Sequence, residues 1–355
     1  MFQRKYLLFI ATLVAGALLW TAGWFWFADK LRADITAFAQ EQRAEGVLLD
    51  WSDLSVTGFP VRFDTTFRSP VARTATRERS ISWAGADTSI RPFVEGPGVV
   101  SFRAPGRHRV DIAEDGKQMS LAADTRDLKG RLSFTDSGQV SGLRGRAEPL
   151  DLVINEAVPL KLSNAAFDWE RRNGADAPEG IHPEGVGESL SLILEQIDLT
   201  RVPLDTGVAR MLGRTVERLA GQIDLRGPLQ PESVSAESLA RWREAGGTLE
   251  VESLTLNWGP LRIAGNGTLT VDQALQPVGA FAARISGLDT LLDLLEQRGE
   301  VRPQQAALAR IALAVLTRAP ENGGPPEARV PVSIQNRMLS IGPVPLIQLP
   351  AVTWN

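Results

Sequence analysis

The chain has 355 residues, 43% hydrophobic and 23% charged, with 32 Gly, 22 Pro and no Cys, an ordinary globular composition that excludes wholesale disorder, collagen and a disulfide-stapled mini-fold. The 38 basic against 42 acidic side chains give a formal net charge of −4, without the basic excess that draws a protein to nucleic acid. With no Cys and only His108 and His182, it cannot build a Cys-based zinc site, use a thiol nucleophile or supply three His to a catalytic zinc.

The first element is set by charge. Leu7 to Ala28 are 22 consecutive uncharged residues, and at about 1.5 Å per residue they reach roughly 33 Å, enough for a hydrocarbon core of about 30 Å. Arg4 and Lys5 precede them without a nearby acid, whereas Asp29, Lys30, Arg32 and Asp34 nearly cancel, so the N-terminus is expected in the cytoplasm. Trp20, Trp24, Phe25, Trp26 and Phe27 crowd the far end, where amphipathic rings favour the headgroup level. A cleaved signal peptide would have a shorter apolar region ending in small residues; this one ends Trp-Phe-Trp-Phe-Ala. Residues 1–28 therefore read as a cytoplasmic tip and retained single-pass anchor, with Leu7, Trp20, Trp24, Trp26 and Ala28 as anchor residues and the bilayer as partner.

Leu31, Ile35, Phe38 and Ala39 keep helical spacing up to Gly46, which predicts a helix over Asp29 to Glu45. The period then changes to 2. Leu49 and Trp51, Leu54 and Val56, Val61 and Phe63, Ile81 and Trp83, Val110 and Ile112, Phe167 and Trp169, and Leu190 through Leu199 alternate with polar residues, as strands with one buried face do. Arg171 to Glu188 and Pro320 to Glu327 read as surface loops, which leaves His182 solvated. Apolar stripes predict helices at Val208, Met211, Leu212, Val216 and Leu219, at Ser235 to Ala245 around Leu239 and Trp242, at Leu288 to Leu295 with Ser286 as cap, and from Pro303 to Leu316. Residues 29–200 form a first β-rich half and 201–355 a second with helices.

Shifting the sequence by 200 positions aligns Gly46 to Phe63 with Gly246 to Ile263 without a gap, with Gly46/Gly246, Leu49/Leu249, Leu54/Leu254, Pro60/Pro260 and Arg62/Arg262 identical. In both copies the apolar positions are odd-numbered before Ser52 or Glu252 and even-numbered after it. A one-faced strand changes parity only where a residue is inserted, so the pattern predicts a recurring bulge and an internal duplication.

The Asp-Trp-Ser-Asp-Leu-Ser-Val-Thr-Gly-Phe-Pro-Val-Arg-Phe run at Asp50 to Phe63, the Leu-Thr-Leu-Asn-Trp-Gly-Pro-Leu-Arg-Ile run at Leu254 to Ile263 and the closing Pro331 to Leu346 segment resemble the DUF2125 family of uncharacterised Gram-negative envelope proteins. The resemblance implies an envelope location and carries no catalytic residues. More loosely, the style resembles the AsmA-like proteins, whose curved sheets are thought to carry lipid, a likeness of fold rather than of site.

No phosphate cradle, nucleophile elbow or zinc-protease motif appears. The acidic pairs Glu114/Asp115, Asp124/Asp127 and Asp289/Asp293 read as solvated charges, and His108 sits between Arg107 and Arg109 without a triad partner. The expectation is thus an α+β protein, mainly β: a transmembrane helix, then a curved antiparallel sheet with covering helices and a duplication. It would be a non-enzymatic inner-membrane protein with a periplasmic body, no cofactor, no metal and no nucleic-acid partner, binding lipid in an apolar groove at Val61, Phe63, Leu261 and Ile263. The alternatives are an assembly partner of an envelope protein complex and, behind it, an envelope hydrolase.

Overall fold

A computed structural model describes residues 2–76, 79–92, 96, 98–114, 117–171, 186–202, 211–227, 229, 235–318 and 325–354. The chain divides into two compact units, residues 1–140 with 150–159 and residues 141–149 with 160–355.

Unit 1 opens with α1 (Phe2–Ala44), a single helix that runs through the uncharged stretch and the predicted Asp29 to Glu45 segment without a break. Gly46 ends it, at φ +91°, a left-handed conformation that glycine adopts without a Cβ penalty. Among the described residues no helix is long and apolar enough to cross a membrane; the side chains of residues 1–11, where the uncharged stretch begins, are not among those described.

The sheet of unit 1 comprises β1 (Val47–Asp50), β2 (Asp53–Thr57), β3 (Asp64–Arg68), β4 (Val71–Ala75), β5 (Arg79–Ala84), β6 (Thr88–Pro92), β7 (Val99–Arg103), β8 (Gly106–Glu114) and β9 (Lys117–Phe134). These nine strands form five antiparallel lines. β1 with β2, β3 with β4, β5 with β6 and β7 with β8 each make one line interrupted in the middle, and β9 runs the whole length against β8 and then β7. The interruptions lie side by side at Trp51–Ser52, Ser69–Pro70, Gly85–Asp87 and Ala104–Pro105. Their chemistry explains them: Ser69 takes φ +46° before a proline, and Pro105 precedes Gly106 at φ +110°. Apolar parity changes across this crease from Leu49 to Leu54 on the first line and from Trp83 to Ile90 on the third, while the line of β7 and β8 keeps it, from Phe102 to Val110.

Unit 2 is a longer antiparallel meander: β10 (Val140–Ile154, of which 141–149 belong here), β11 (Val158–Leu162), β12 (Asn164–Arg171), β13 (Val186–Asp198), β14 (Thr215–Arg226), β15 (Thr248–Trp258), β16 (Leu261–Val271), β17 (Pro277–Ser286), β18 (Thr317–Arg318), β19 (Glu327–Gln335), β20 (Met338–Ile341) and β21 (Val344–Gln348). Its pairing order is β10, β12, β13, β14, β15, β16, β17, β19, β20, β21, nearly the order of the chain. Among the elements described in full, α2 (Ala236–Glu244), α3 (Leu288–Gln297) and α4 (Pro303–Leu316) interrupt it, and Met211 and Leu212 are also helical. Ser235 caps α2 in a capping box with Ser238, and Leu239 and Trp242 bury against Val271, Leu225, Leu275 and Trp354.

Three expectations need correction. Val61 and Phe63 lie in the Gly58–Phe63 turn rather than a strand, because Gly58 at φ +104° and Pro60 end the ladder at Thr57. The helix read through Val216 and Leu219 is strand β14. A bulge at Glu217 pairs Val216 with Trp258 and Leu219 with Leu256, so residues three apart face the same way and imitate a helical stripe. Ser286 ends β17 and is buried; the N-cap of α3 is Gly287 at φ +86°, without a side-chain cap. His182 and most of both expected loops, 172–185 and 319–324, lie outside the described residues, as do Val208 and Asp115.

Candidate functional site

Directly paired residues of an antiparallel sheet share a face, so the registers of unit 2 can be read as rows. One row runs Leu143, Trp169, Leu190, Ile223, Val251, Gly267, Phe281, Val332, Ile341 from β10 to β20. The row two residues along runs Gly145, Phe167, Leu192, Gly221, Leu254, Gly265, Ala283, Val330, and the next Ala147, Ala165, Leu194, Leu219, Leu256, Ile263, Ile285, Ala328. Neither polar nor charged side chains interrupt these rows. At about 4.8 Å between strands and about 3.4 Å per residue, the face extends roughly 40 Å by 15 Å.

The opposite face is polar. Arg144 holds Asp168, Ser189 donates to Asp224 at 2.8 Å, Arg218 pairs with Glu195 at 2.5 Å, and Arg226 pairs with Glu252 at 3.2 Å. The alternation thus separates a face that carries these polar pairs, from β10 to β15, from an apolar one, and Ser189 and Asp224 on the polar side are buried.

The apolar face is only partly covered. No large side chain among the described residues is fully buried, and Leu190, Leu192 and Leu254 in the middle of the face are 44%, 39% and 45% exposed. Gly145 and Gly267 let the rings of Phe167 and Phe281 lie flat in the space a Cβ would take, which keeps the face shallow there. Monomers seldom leave an apolar patch of more than a few hundred Å² open without a use for it.

A second apolar feature belongs to unit 1. Trp24 and Ala28 of α1 are buried with Val56, packed by Leu31 and Phe63. The Trp24 ring stacks on Phe63 at 5.3 Å and 10°, and Phe27 lies 4.7 Å from the same ring. Two indoles hold the turn: Trp20 Nε1 donates to the Pro60 carbonyl at 2.9 Å and Trp24 Nε1 to the Arg62 carbonyl at 3.1 Å. Trp20 and Trp26 are otherwise exposed, as is Val61 at 75%.

Of the expected groove residues, Leu261 and Ile263 lie on the apolar face of unit 2, opposite Trp258 and Leu256. Phe63 faces α1 in unit 1 and Val61 is at the tip of the turn. Leu7 lies among the residues whose side chains are not described. Sequence reading missed Ile223 and Leu225 as members of the apolar face of unit 2, although the alternation that carries them was visible.

The acidic and His candidates have local partners. Glu114 lies 3.7 Å from Arg79, Asp124 lies 3.7 Å from Arg107, and Asp293 lies 2.7 Å from Arg310; Asp289 is exposed in the first turn of α3. A hydrogen bond from Lys129, aided by Arg103, holds the Asp127 carboxyl below the usual carboxylate range. His108 is buried, with Nε2 2.8 Å from the Ala104 carbonyl oxygen and its ring stacked on Trp83. A polar cleft of about 510 Å³ on unit 1 includes Arg109, whose charge is met by Asp111 at 2.9 Å and Glu156 at 3.2 Å. No group of three His, Cys, Asp or Glu that could hold a metal occurs among the described residues.

Together these features define an α+β protein of large antiparallel sheet structure, led by a long N-terminal helix, with an extended apolar face on unit 2. The chain belongs to the DUF2125 family, described as an uncharacterized protein conserved in bacteria, which it matches over residues 24–350. No curated protein and no solved structure matches it.

Proposed function

We propose that this protein is a membrane-anchored binder of lipid or a similar amphipathic molecule, with the apolar face of unit 2 as the binding surface and α1 as the anchor. The observation that carries the reading is the unbroken set of apolar rows with Leu190, Leu192 and Leu254 open at its centre. A flat acyl chain fits such a surface: it gains about 0.8 kcal/mol per CH₂ withdrawn from water and asks for no polar partner. The anchor reading draws on the uncharged Leu7 to Ala28 stretch and its flanking charges, which direct the body to the periplasmic side of the inner membrane. The role is binding rather than catalysis, with no cofactor.

The two copies of the 18-residue pattern are read as a duplicated helix-to-hairpin unit. Supporting this, each follows a helix through a left-handed glycine, Gly46 at φ +91° and Gly246 at φ +79°, and each changes parity at Ser52 or Glu252. The turns differ: six residues separate β2 from β3, and two separate β15 from β16.

The test compares lipid retained by the full chain with that retained by Leu192→Asp, both purified in the same mild detergent. Because Leu192 is exposed, its carboxylate stays solvated and the fold should persist. At least one phospholipid per chain should be lost, and Ser191→Asp, on the polar face, should lose none; equal lipid in all three proteins would overturn the reading. An assembly role is the second reading, favoured by β21, which carries exposed Val344 and Ile347.

A further inference from the structure

The Gly58–Phe63 turn presents apolar side chains to the outside while several of its backbone polar groups are met by the turn itself and by α1. Phe59 is 47% and Val61 75% exposed. The Val61 and Arg62 amides donate to the Gly58 carbonyl at 3.3 and 2.9 Å, and Pro60 has no N–H to satisfy. The Pro60 and Arg62 carbonyls, which water would normally serve, accept instead from the indoles of Trp20 and Trp24. An unmet backbone polar group is costly at membrane depth, and α1 lowers that cost by supplying indole donors to two of the turn's carbonyls.

Its level is fixed by the same bonds. Trp20 precedes Ala28 by eight residues, so Pro60 is held about 12 Å back along α1 from the end of the uncharged stretch. Phe59 extends the apolar surface of the helix, 5.5 Å from Trp24 and 5.8 Å from Phe25. Arg62 follows, with a stem long enough to carry its guanidinium back towards lipid phosphates.

We propose that the Gly58–Phe63 turn is set into the outer leaflet of the bilayer beside α1, with Phe59 and Val61 among the acyl chains. The proposal rests on the reading of α1 as an anchor. It commits the body to one orientation, since the turn joins β2 to β3 and a second insertion point beside the helix stops unit 1 from rotating about α1.

The chain has no Cys, so single-cysteine labelling is unambiguous. Val61→Cys and, separately, Leu18→Cys would carry an environment-sensitive dye in the full chain, reconstituted in phosphatidylethanolamine and phosphatidylglycerol vesicles with doxyl-labelled phosphatidylcholine. Both positions are exposed, Leu18 at 65%, so neither change disturbs a core. The expected result is blue-shifted emission at position 61, quenched at least twofold by doxyl lipid and unaffected by aqueous iodide. If position 18 is quenched by doxyl lipid while position 61 is quenched by iodide alone, the anchor stands and the inserted turn is wrong. If position 61 is shielded from both quenchers, a protein covers the turn and the proposal is overturned. If neither position responds to doxyl lipid, the anchor reading and this proposal fall together.

Discussion

The same sequence signal, a change of apolar parity after Trp51 and after Val251, is absorbed differently in the two units. In unit 1 the line of β4 and β3 beside β1 and β2 is interrupted at the same level, so the register Asp50 to Val71 resumes as Asp53 to Arg68 without a slip. In unit 2 the neighbours of β15 keep their parity, and β15 accommodates the extra residue alone: the register slips between Val251 and Leu254 against β16 and at the same place against β14. Parity in one strand therefore states that a residue is inserted; only the adjacent strands decide between a crease across the sheet and a local bulge. The two solutions have different consequences. The creased sheet meets α1 at Val56 and the Gly58–Phe63 turn, whereas the straight rows of unit 2 continue uninterrupted from β10 to β20.

The cover on the two apolar faces can be removed separately, and the expected costs differ. Trp242→Ala should have the largest effect, roughly 3–5 kcal/mol by the usual cost of emptying a buried aromatic site. It removes the ring packed against Gly227 and Gly247 and the bond from Nε1 to the Arg226 carbonyl, and thermal unfolding should show the loss. Trp24→Ala should cost less, about 2–4 kcal/mol, because part of its partner set lies at an exposed turn. It should appear as faster hydrogen exchange at Val61 and Arg62, with unit 2 unchanged; slowed or unchanged exchange would show that the turn does not depend on α1. Ser235→Ala, which deletes one half of the α2 capping box, should cost about 1 kcal/mol and lower the melting temperature slightly.

Much of the fold was legible because a one-faced antiparallel strand writes its period into the chain, as at Phe167/Trp169 and Leu190/Leu192/Leu194. Helices α2 and α4 were legible from Ser235 and Pro303 at their starts. The Val216–Leu219 error shows the limit: a bulge turns period 2 into an apparent period 3, and nothing local distinguishes it from a helix. Phe63 could be placed among aromatic residues but not against Trp24, since that contact spans 39 positions. The site was half legible. Leu261 and Ile263 carry the alternation of their face, yet the width of that face follows only from eight registers, which no single segment encodes.

The central claim, that lipid lies on the apolar face of unit 2, is most directly tested by photo-crosslinking in the membrane. The full chain would be irradiated with a phospholipid bearing a diazirine in its acyl chain, and the adducts mapped by peptide mass spectrometry. Adducts should appear in β13, β15 and β16, at Leu190, Leu192, Leu254 and Ile263, and be absent from Ser191 and Gln222 on the polar face. Adducts confined to α1 and the Gly58–Phe63 turn, with β13 to β16 unmodified, would contradict it.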